Sequence, residues 1–232
     1  EAGEDGQRED FVGCERGAQA PVIDMGTLNF SLTRTAPKSM GKILDPNYFF
    51  SRERAYLLLG YAESEFLKAE AALRGWAGME LTGTAEEYYK SGIKASMEYY
   101  GIANDKAQAY IDGLKTLTTD KVFEGGDKEK QLEAIITQKW MAIFPNGNEG
   151  WAEFRRTDYP ALANQLINNS GGDVPMGKNI KRILYPLSEN SNSYFTSHPE
   201  LLQVNTQGNR LWWDVADTND DSGNRVQPNN FR

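Results

Sequence analysis

Cysteine and histidine are almost absent from this sequence of 232 residues, which contains one of each, Cys14 and His198. One cysteine cannot form an internal disulfide. The scarcity of both residues argues against a thiolate zinc cluster and Cys–His catalysis, so metal chemistry would depend on carboxylates. The longest apolar runs, such as Tyr56 to Leu59, have four or five residues, whereas a membrane-spanning helix needs about 20. We therefore expect no transmembrane helix.

Basic charge is also scarce, because 25 lysines and arginines face 33 acidic residues and leave a net charge of −8. A protein that binds nucleic acid needs a basic face, and an acidic chain repels the phosphate backbone. We therefore expect no nucleic-acid partner. The first ten residues carry six charged groups, which is incompatible with the apolar stretch of a secretory signal. Any targeting peptide is expected to lie outside these residues.

The chain divides by composition and periodicity into three regions. Residues 1–53 are irregular apart from an alternating piece, Thr27–Thr33, that is compatible with an edge strand. Residues 54–145 show helical periodicity. Residues 146–232 contain most of the asparagines together with glycine, serine and proline, a composition that is typical of a loop-rich layer.

The helical region begins with a predicted helix hairpin. Apolar residues at steps of three and four predict an amphipathic helix near 54–75, and Gly75 is a plausible stop. Thr84 and Glu87 can cap each other's backbone donors, which predicts a second helix that runs to about Tyr100.

The second helix has the small-and-aromatic spacing of tetratricopeptide repeats. Ala85 and Tyr89 are four residues apart, and Gly92 would let a neighbouring helix approach closely. The same spacing also arises in helices that belong to no repeat. A repeat array needs about three units to bury a continuous core, so a true repeat here would imply further units elsewhere.

Three more helices are predicted further along the chain. The third covers 104–117, the fourth is capped by Asp127 and ended by Pro145, and a short one covers 148–157. The fourth helix carries one apolar stripe, formed by Leu132, Ile136, Trp140 and Ile143.

Candidate catalytic and metal-binding residues are few. Glu149 and Glu153 share one helix face, as a glycosidase pair would, but solvated acids neutralised by the neighbouring Arg155 and Arg156 are the ordinary interpretation. The tail segment Asp217–Gly223 offers oxygens at the first, third and fifth positions of a calcium loop. It lacks the turn glycine and the bidentate glutamate of an EF-hand, so a structural calcium ion is only an alternative and no cofactor is expected.

Exposed aromatic rings are the remaining candidate for a functional surface. Trp76 lies in a predicted loop, Trp151 lies early in the short helix, and Trp212 and Trp213 are adjacent. Indole faces stack on the apolar faces of sugar rings, and nearby Asn, Asp and Arg can bind hydroxyl groups. Core packing is the competing role of each tryptophan.

Several ordered blocks of this sequence resemble the SusD/RagB family of outer-membrane nutrient-binding lipoproteins. The blocks are Tyr61–Trp76, Ala85–Ile93, Ile135–Trp140, Phe144–Gly147, Trp151–Pro160, Arg182–Pro186 and Leu211–Asp214. The resemblance implies a mainly α fold, with tetratricopeptide-like hairpins and a loop-rich layer in one SusD-like domain. It also implies that these residues are the C-terminal half of a member, whose N-terminal half completes the fold.

For function, the resemblance implies a lipid-anchored protein on the outer face of the bacterial outer membrane, in bacteria of the Bacteroidetes type. Such a protein binds a glycan or another oligomeric nutrient and delivers it to a SusC-type TonB-dependent transporter, without catalysis. In that family the ligand-binding aromatic residues are variable and lie largely on loops of the other half, which implies that the well-matched blocks are scaffold and that Trp140, Arg155 and Arg156 are structural. The ligand-binding residues expected in this chain are Trp76 and Trp212 or Trp213.

Two alternatives to nutrient binding follow from the residues themselves. A helical-repeat scaffold could bind a protein segment in its grooves, as the Ala85/Tyr89 hairpin suggests. A carboxylate glycosidase would use Glu149 and Glu153. Binding of a transporter without binding of sugar would favour the scaffold, and hydrolysis that is lost in Glu153→Gln would favour the glycosidase.

Overall fold

The computed structural model describes residues 57–76, 80–162, 170–175, 178–200, 205–211 and 230–231. The chain forms two compact units, one made of Leu57–Ala163 with Trp212–Arg232 and the other of Glu1–Tyr56 with Asn164–Leu211. The division of the chain into the regions 1–53, 54–145 and 146–232 of one domain stays a prediction. The predictions for Cys14, Thr27–Thr33 and Asp217–Gly223 lie outside the described residues.

The first of these units is helical. Its described helices are α1 Tyr61–Arg74, α2 Ala85–Tyr99, α3 Asn104–Gly113, α4 Lys115–Thr118, α5 Lys128–Ala142 and α6 Gly147–Thr157. Across both units, the described residues contain no β-strand. Nor is any helix in this part of the chain long and apolar enough to cross a bilayer. The prediction of a mainly α fold is confirmed.

Helix α1 is shorter than predicted. Its first residue is Tyr61 instead of a residue near 54, because Gly60 adopts an extended conformation with φ −87° and ψ 154°. Glycine in a helix interior costs about 1 kcal/mol relative to alanine, which favours a boundary at this position. At the other end the predicted stop is confirmed, since Gly75 has the left-handed φ of 66° that L-residues avoid.

Helices α1 and α2 form the predicted antiparallel hairpin. Phe66 of α1 lies against Gly92 of α2, and Lys68 lies over the ring of Tyr88, so the helices run in opposite directions. A Cβ atom at Gly92 would come within 2.8 Å of the Phe66 ring. The close approach predicted for this position is therefore real, and it depends on the absence of a side chain.

The start of α2 is fixed by a reciprocal cap. The backbone N–H of Glu87 donates to Thr84 Oγ1 over 3.2 Å, and the backbone N–H of Thr84 donates to Glu87 Oε2 over 2.7 Å. The predicted capping box is confirmed.

The remaining helices largely follow the predicted boundaries. The helix predicted over 104–117 is interrupted at Leu114, whose ψ of 121° is not helical, and therefore appears as α3 and α4. Asp127 caps α5 as predicted by accepting bonds from Glu129 and Lys130 backbone N–H groups. The stripe on α5 is only partly buried, because Leu132 and Ile136 are fully covered whereas Trp140 is 38% exposed.

The core of this unit lies where α1, α2 and α5 meet. Helix α5 packs against both helices of the hairpin, while α3 packs on α2 and α6 packs on α5. The shared cluster of fully buried apolar side chains includes Phe66, Ala69, Tyr89, Leu132, Ile135, Ile136 and Tyr159. Burial of each large side chain stabilises the fold by about 1.5–3 kcal/mol, so this cluster dominates the packing of the unit.

The second unit is loop-rich in its described part. It contains a 3-10 helix, Leu187–Ser191, followed by the five-residue helix α7, Ser193–Ser197. Backbone bonds join three described segments, since the N–H groups of Lys181 and Gly208 donate to the carbonyl groups of Gln207 and Asp173, respectively. This agrees with the predicted loop-rich character of the C-terminal region.

Candidate functional site

Trp76 lies directly after the C-terminal end of α1, in a Schellman motif. The backbone N–H of Trp76 donates to the carbonyl of Ala71 over 3.2 Å, and that of Gly75 donates to Ala72, also over 3.2 Å. These bonds fix the backbone from which the indole projects. The residue is 52% exposed. A large apolar ring is therefore held on the surface.

Arg74 places a fixed positive charge beside this ring. Its guanidinium carbon lies 5.8 Å from the Trp76 ring centroid, within the range of a cation–π contact. Its Nε donates to Glu70 Oε1 over 2.8 Å, and Nη1 donates to the carbonyl oxygen of Asn230 over 3.0 Å. The Arg74 side chain is thus oriented by two acceptors before any ligand arrives.

Residues Asn230 and Phe231 cover the same end of α1. The Phe231 ring lies 4.8 Å from the Arg74 guanidinium carbon and 5.7 Å from Lys128 Nζ, between the two cations. Asn230 donates from its backbone N–H and its side-chain amide to the two carboxylate oxygens of Glu129. This short segment therefore connects the start of α5 with the end of α1.

A chain of ion pairs with buried carboxylates continues from Arg74. Glu70, which is 2% exposed, accepts two bonds of 2.7 Å from Arg156 in addition to that from Arg74. Arg156 also donates to Glu153 over 2.7 Å, and Glu153 accepts a 2.8 Å bond from the buried Lys139. The network joins α1, α5 and α6 through alternating charges.

Two carboxyl groups of this network have shifted pKa values in opposite directions. Burial on its own would raise the pKa of Glu70, but the bonds and charges of Arg156 and Arg74 outweigh it and lower that pKa below its usual value. Burial raises the pKa of Glu63, and Lys139 only partly offsets it, because Lys139 Nζ is 3.9 Å from the Glu63 carboxylate. The two pKa values shift in opposite directions because Glu70 accepts hydrogen bonds from two arginines, whereas the charge that mainly offsets the burial of Glu63, that of Lys139, is more distant.

Comparisons with known proteins identify the family. The profile of the SusD-like family described as "starch-binding associating with outer membrane" matches residues 5–186, which is more than half of the chain. This chain belongs to the SusD-like family. A comparison with curated protein sequences finds no match.

Solved SusD homologues agree with this assignment. A chitin-binding SusD homologue from Flavobacterium johnsoniae is 37% identical, with a TM-score of 0.55 over 66% of this chain and 36% of the other. A SusD homologue from Bacteroides vulgatus is 31% identical, with a TM-score of 0.55 over 66% of this chain and 34% of the other. One from Bacteroides ovatus is 34% identical, with a TM-score of 0.51 over 67% and 37%. The SusD-like chain thus spans about a third of the length of these relatives.

Of the three predicted ligand-binding residues, only Trp76 lies among the described residues. Trp76 is half-exposed and does not have the fully buried position that core packing would give it. Trp212 and Trp213 lie outside the described residues. Sequence reasoning missed the contacts of Arg74 with Asn230 and Phe231, because no local pattern relates residues 156 positions apart.

The interpretation of Glu149 and Glu153 as two solvated acids is wrong for one of them. Glu153 is 6% exposed, and its two oxygens bind Lys139 and Arg156. Burial occurs because α6 packs this face on α5. Only Glu149 remains partly exposed.

Proposed function

We propose that this chain is part of a lipid-anchored glycan-binding protein on the outer face of the outer membrane, with Trp76 as one of its sugar-stacking platforms. Membership of a family described as starch-binding and similarity to a chitin-binding homologue support a glycan as the ligand. The observation that carries the assignment to Trp76 is its half-exposed indole on a fixed helix end. Trp212 and Trp213 are proposed as additional binding residues.

Sugar recognition suits the chemistry around Trp76. An indole face stacks on the C–H face of a pyranose, while a neighbouring guanidinium donates to hydroxyl groups. Arg74 already donates to Glu70 and to the Asn230 carbonyl, so its orientation costs little conformational entropy on binding. We propose that it binds a sugar hydroxyl with the part of its guanidinium not bonded to these acceptors.

We propose further that the protein performs no catalysis. A glycosidase needs one carboxyl group that gives and takes protons beside a second that acts as nucleophile or base. Both carboxylate oxygens of Glu153 are bonded, one to Lys139 and the other to Arg156, and the residue is 6% exposed, which leaves it poorly placed to reach a glycosidic bond. On this proposal the protein binds its glycan without a cofactor or a metal ion.

The experiment that tests the ligand assignment is affinity electrophoresis in native gels that contain amylopectin or glycol chitin. We expect the protein to be retarded by at least one of them and Trp76→Ala to weaken apparent affinity roughly five- to tenfold, as loss of a stacking ring predicts. Trp140→Ala is the matched control, since Trp140 is 38% exposed on α5. Equal retardation of wild type and Trp76→Ala would refute the role of Trp76, and absence of retardation in every gel would refute glycan binding.

Delivery of the glycan to a SusC-type TonB-dependent transporter completes the proposal. A surface-tethered binding protein needs a channel in the same membrane if the bound nutrient is to enter the cell. Affinity purification of the tagged protein from detergent-solubilised outer membranes should recover a TonB-dependent barrel, identified by mass spectrometry. Glycan binding without a co-purifying barrel would leave binding intact and contradict delivery.

A further inference from the structure

Four rings form a row on the loop-rich second unit. The centroids of Tyr185 and Phe195 are 5.0 Å apart, those of Phe195 and Tyr194 are 5.9 Å apart, and those of Tyr194 and His198 are 4.5 Å apart. Tyr194 is 58% exposed and Tyr185 is 41% exposed. Rings that are packed together and still exposed offer a preformed aromatic surface, which we call the aromatic row.

Hydrogen bonds of α7 hold the outer part of the aromatic row in place. Asn192 caps the helix by accepting from the Tyr194 backbone N–H over 3.0 Å. The Tyr194 carbonyl accepts from Ser197 Oγ over 2.9 Å and lies 3.0 Å from His198 Nδ1. The imidazole is thereby stacked on the Tyr194 ring, with an interplanar angle of 26°. His198 thus backs one face of the Tyr194 ring, and Tyr194 is 58% exposed in this arrangement.

Polar groups border the aromatic row. The Arg182 guanidinium lies 4.4 Å from the Tyr185 ring centroid and donates to Asn205 Oδ1 over 2.9 Å. Asn205 Oδ1 also accepts from the Tyr185 backbone, so its amide NH2 group provides the donors.

We propose that the aromatic row is a second glycan-contact surface, in which one sugar ring stacks on the Tyr194 ring and a hydroxyl group of the same glycan accepts from the Asn205 amide. The inference rests on the proposed function but uses none of the residues around Trp76. An exposed ring beside an amide donor matches the apolar face and hydroxyl edge of a pyranose. A nucleic acid is disfavoured by the net charge of −8.

A protein partner could bind the same surface instead of a glycan. It would use different side chains from those that a sugar would contact. Ile183 and Leu187 are 75% and 87% exposed and belong to the same unit as the aromatic row. A protein interface gains most from burying such aliphatic side chains, whereas a sugar gains most from the ring of Tyr194. Leu187→Ala therefore serves as the matched control for Tyr194→Ala.

The test compares Tyr194→Ala, Tyr194→Phe and Leu187→Ala in the gel that retards the wild-type protein. We expect Tyr194→Ala to weaken apparent affinity roughly five- to tenfold and Tyr194→Phe, which retains the ring, to stay within about twofold of wild type. Leu187→Ala should match wild type. Circular dichroism and thermal melts of each variant exclude misfolding as the cause.

The outcomes separate this inference from the proposed function. Wild-type retardation with an unchanged Tyr194→Ala variant would overturn the aromatic row as a glycan surface and leave glycan binding standing. A loss in Leu187→Ala as large as that in Tyr194→Ala would indicate a general apolar contact and overturn the stacking mechanism. Absence of retardation in the wild type would overturn both proposals.

Discussion

Arg156 and Glu70 form a bidentate ion pair across 86 residues of sequence, with both N–O distances at 2.7 Å. Parallel bonds of this kind are the strongest that a guanidinium makes with a carboxylate. The pair joins α6 to α1, and Arg74 and Glu153 extend it on either side. Helix packing beneath Trp76 is therefore governed by charge as well as by apolar contacts.

Loss of the Glu70 charge should destabilise the protein strongly. Glu70→Gln leaves Arg156 and Arg74 with one fewer anion, and because their side chains are 36% and 16% exposed, solvent offsets part of the loss, so we expect a cost of about 1.5–3 kcal/mol. Urea unfolding measures the change in unfolding free energy. Glu86→Gln is the control, because Glu86 forms an exposed pair with Lys90 and its loss should cost under about 1 kcal/mol. Equal effects of the two substitutions would contradict a stabilising role for the network.

As pH rises, Glu70→Gln should lose unfolding free energy relative to wild type, whereas Glu63→Gln should gain it. The folded-state pKa of Glu70 is lowered, so its contribution is present above the usual carboxyl pKa and is lost as pH falls. The folded-state pKa of Glu63 is raised by burial, so wild-type stability falls as pH rises through that value. Glu63→Gln removes this loss and should gain stability relative to wild type as pH rises above the usual carboxyl pKa. The free energy of unfolding, measured for both variants and wild type from acid to neutral pH, tests both predictions. Parallel curves for Glu63→Gln and wild type would contradict the prediction for Glu63.

Removal of the cap of α2 should cost a moderate amount of stability. Thr84→Ala deletes the acceptor of the Glu87 backbone N–H, which typically costs about 1 kcal/mol. Ser96→Ala, within the same helix, changes a hydroxyl group that takes no part in the cap and should stay within about 0.5 kcal/mol of wild type. Thermal and urea unfolding should rank the variants in this order. A Thr84→Ala protein as stable as Ser96→Ala would show that the cap contributes little.

Local signals in the sequence predicted local structure well. The caps at Thr84 and Asp127 and the stop at Gly75 depend on residues within one helical turn, so they could be read directly from the sequence. The beginning of α1 and the break at Leu114 were missed, because hydrophobic periodicity continues through both positions.

Long-range relationships could not be predicted in the same way. Glu153 was interpreted as solvated, since its helix face gave no sign that Lys139 and Arg156 would enclose it. The exposure of Trp76 was one of two open roles for that residue, whereas the contact of Arg74 with Phe231 had no sequence signal at all. Packing between distant segments decides burial, and burial decides whether a residue belongs to a core, a network or a site.

The close approach of α1 and α2 at Gly92 provides the sharpest packing test. Gly92→Ala places a Cβ atom 2.8 Å from the Phe66 ring, so we expect a loss of about 1–3 kcal/mol from overpacking. Gly113→Ala is the matched control, because its Cβ would meet no atom within 4 Å and alanine favours a helix, which predicts no loss or a gain of about 0.5 kcal/mol. In the double variant Gly92→Ala/Phe66→Leu the smaller side chain relieves the clash, so its loss should be less than the sum of the single losses. Strict additivity in urea unfolding would mean that the two residues do not meet in the hairpin.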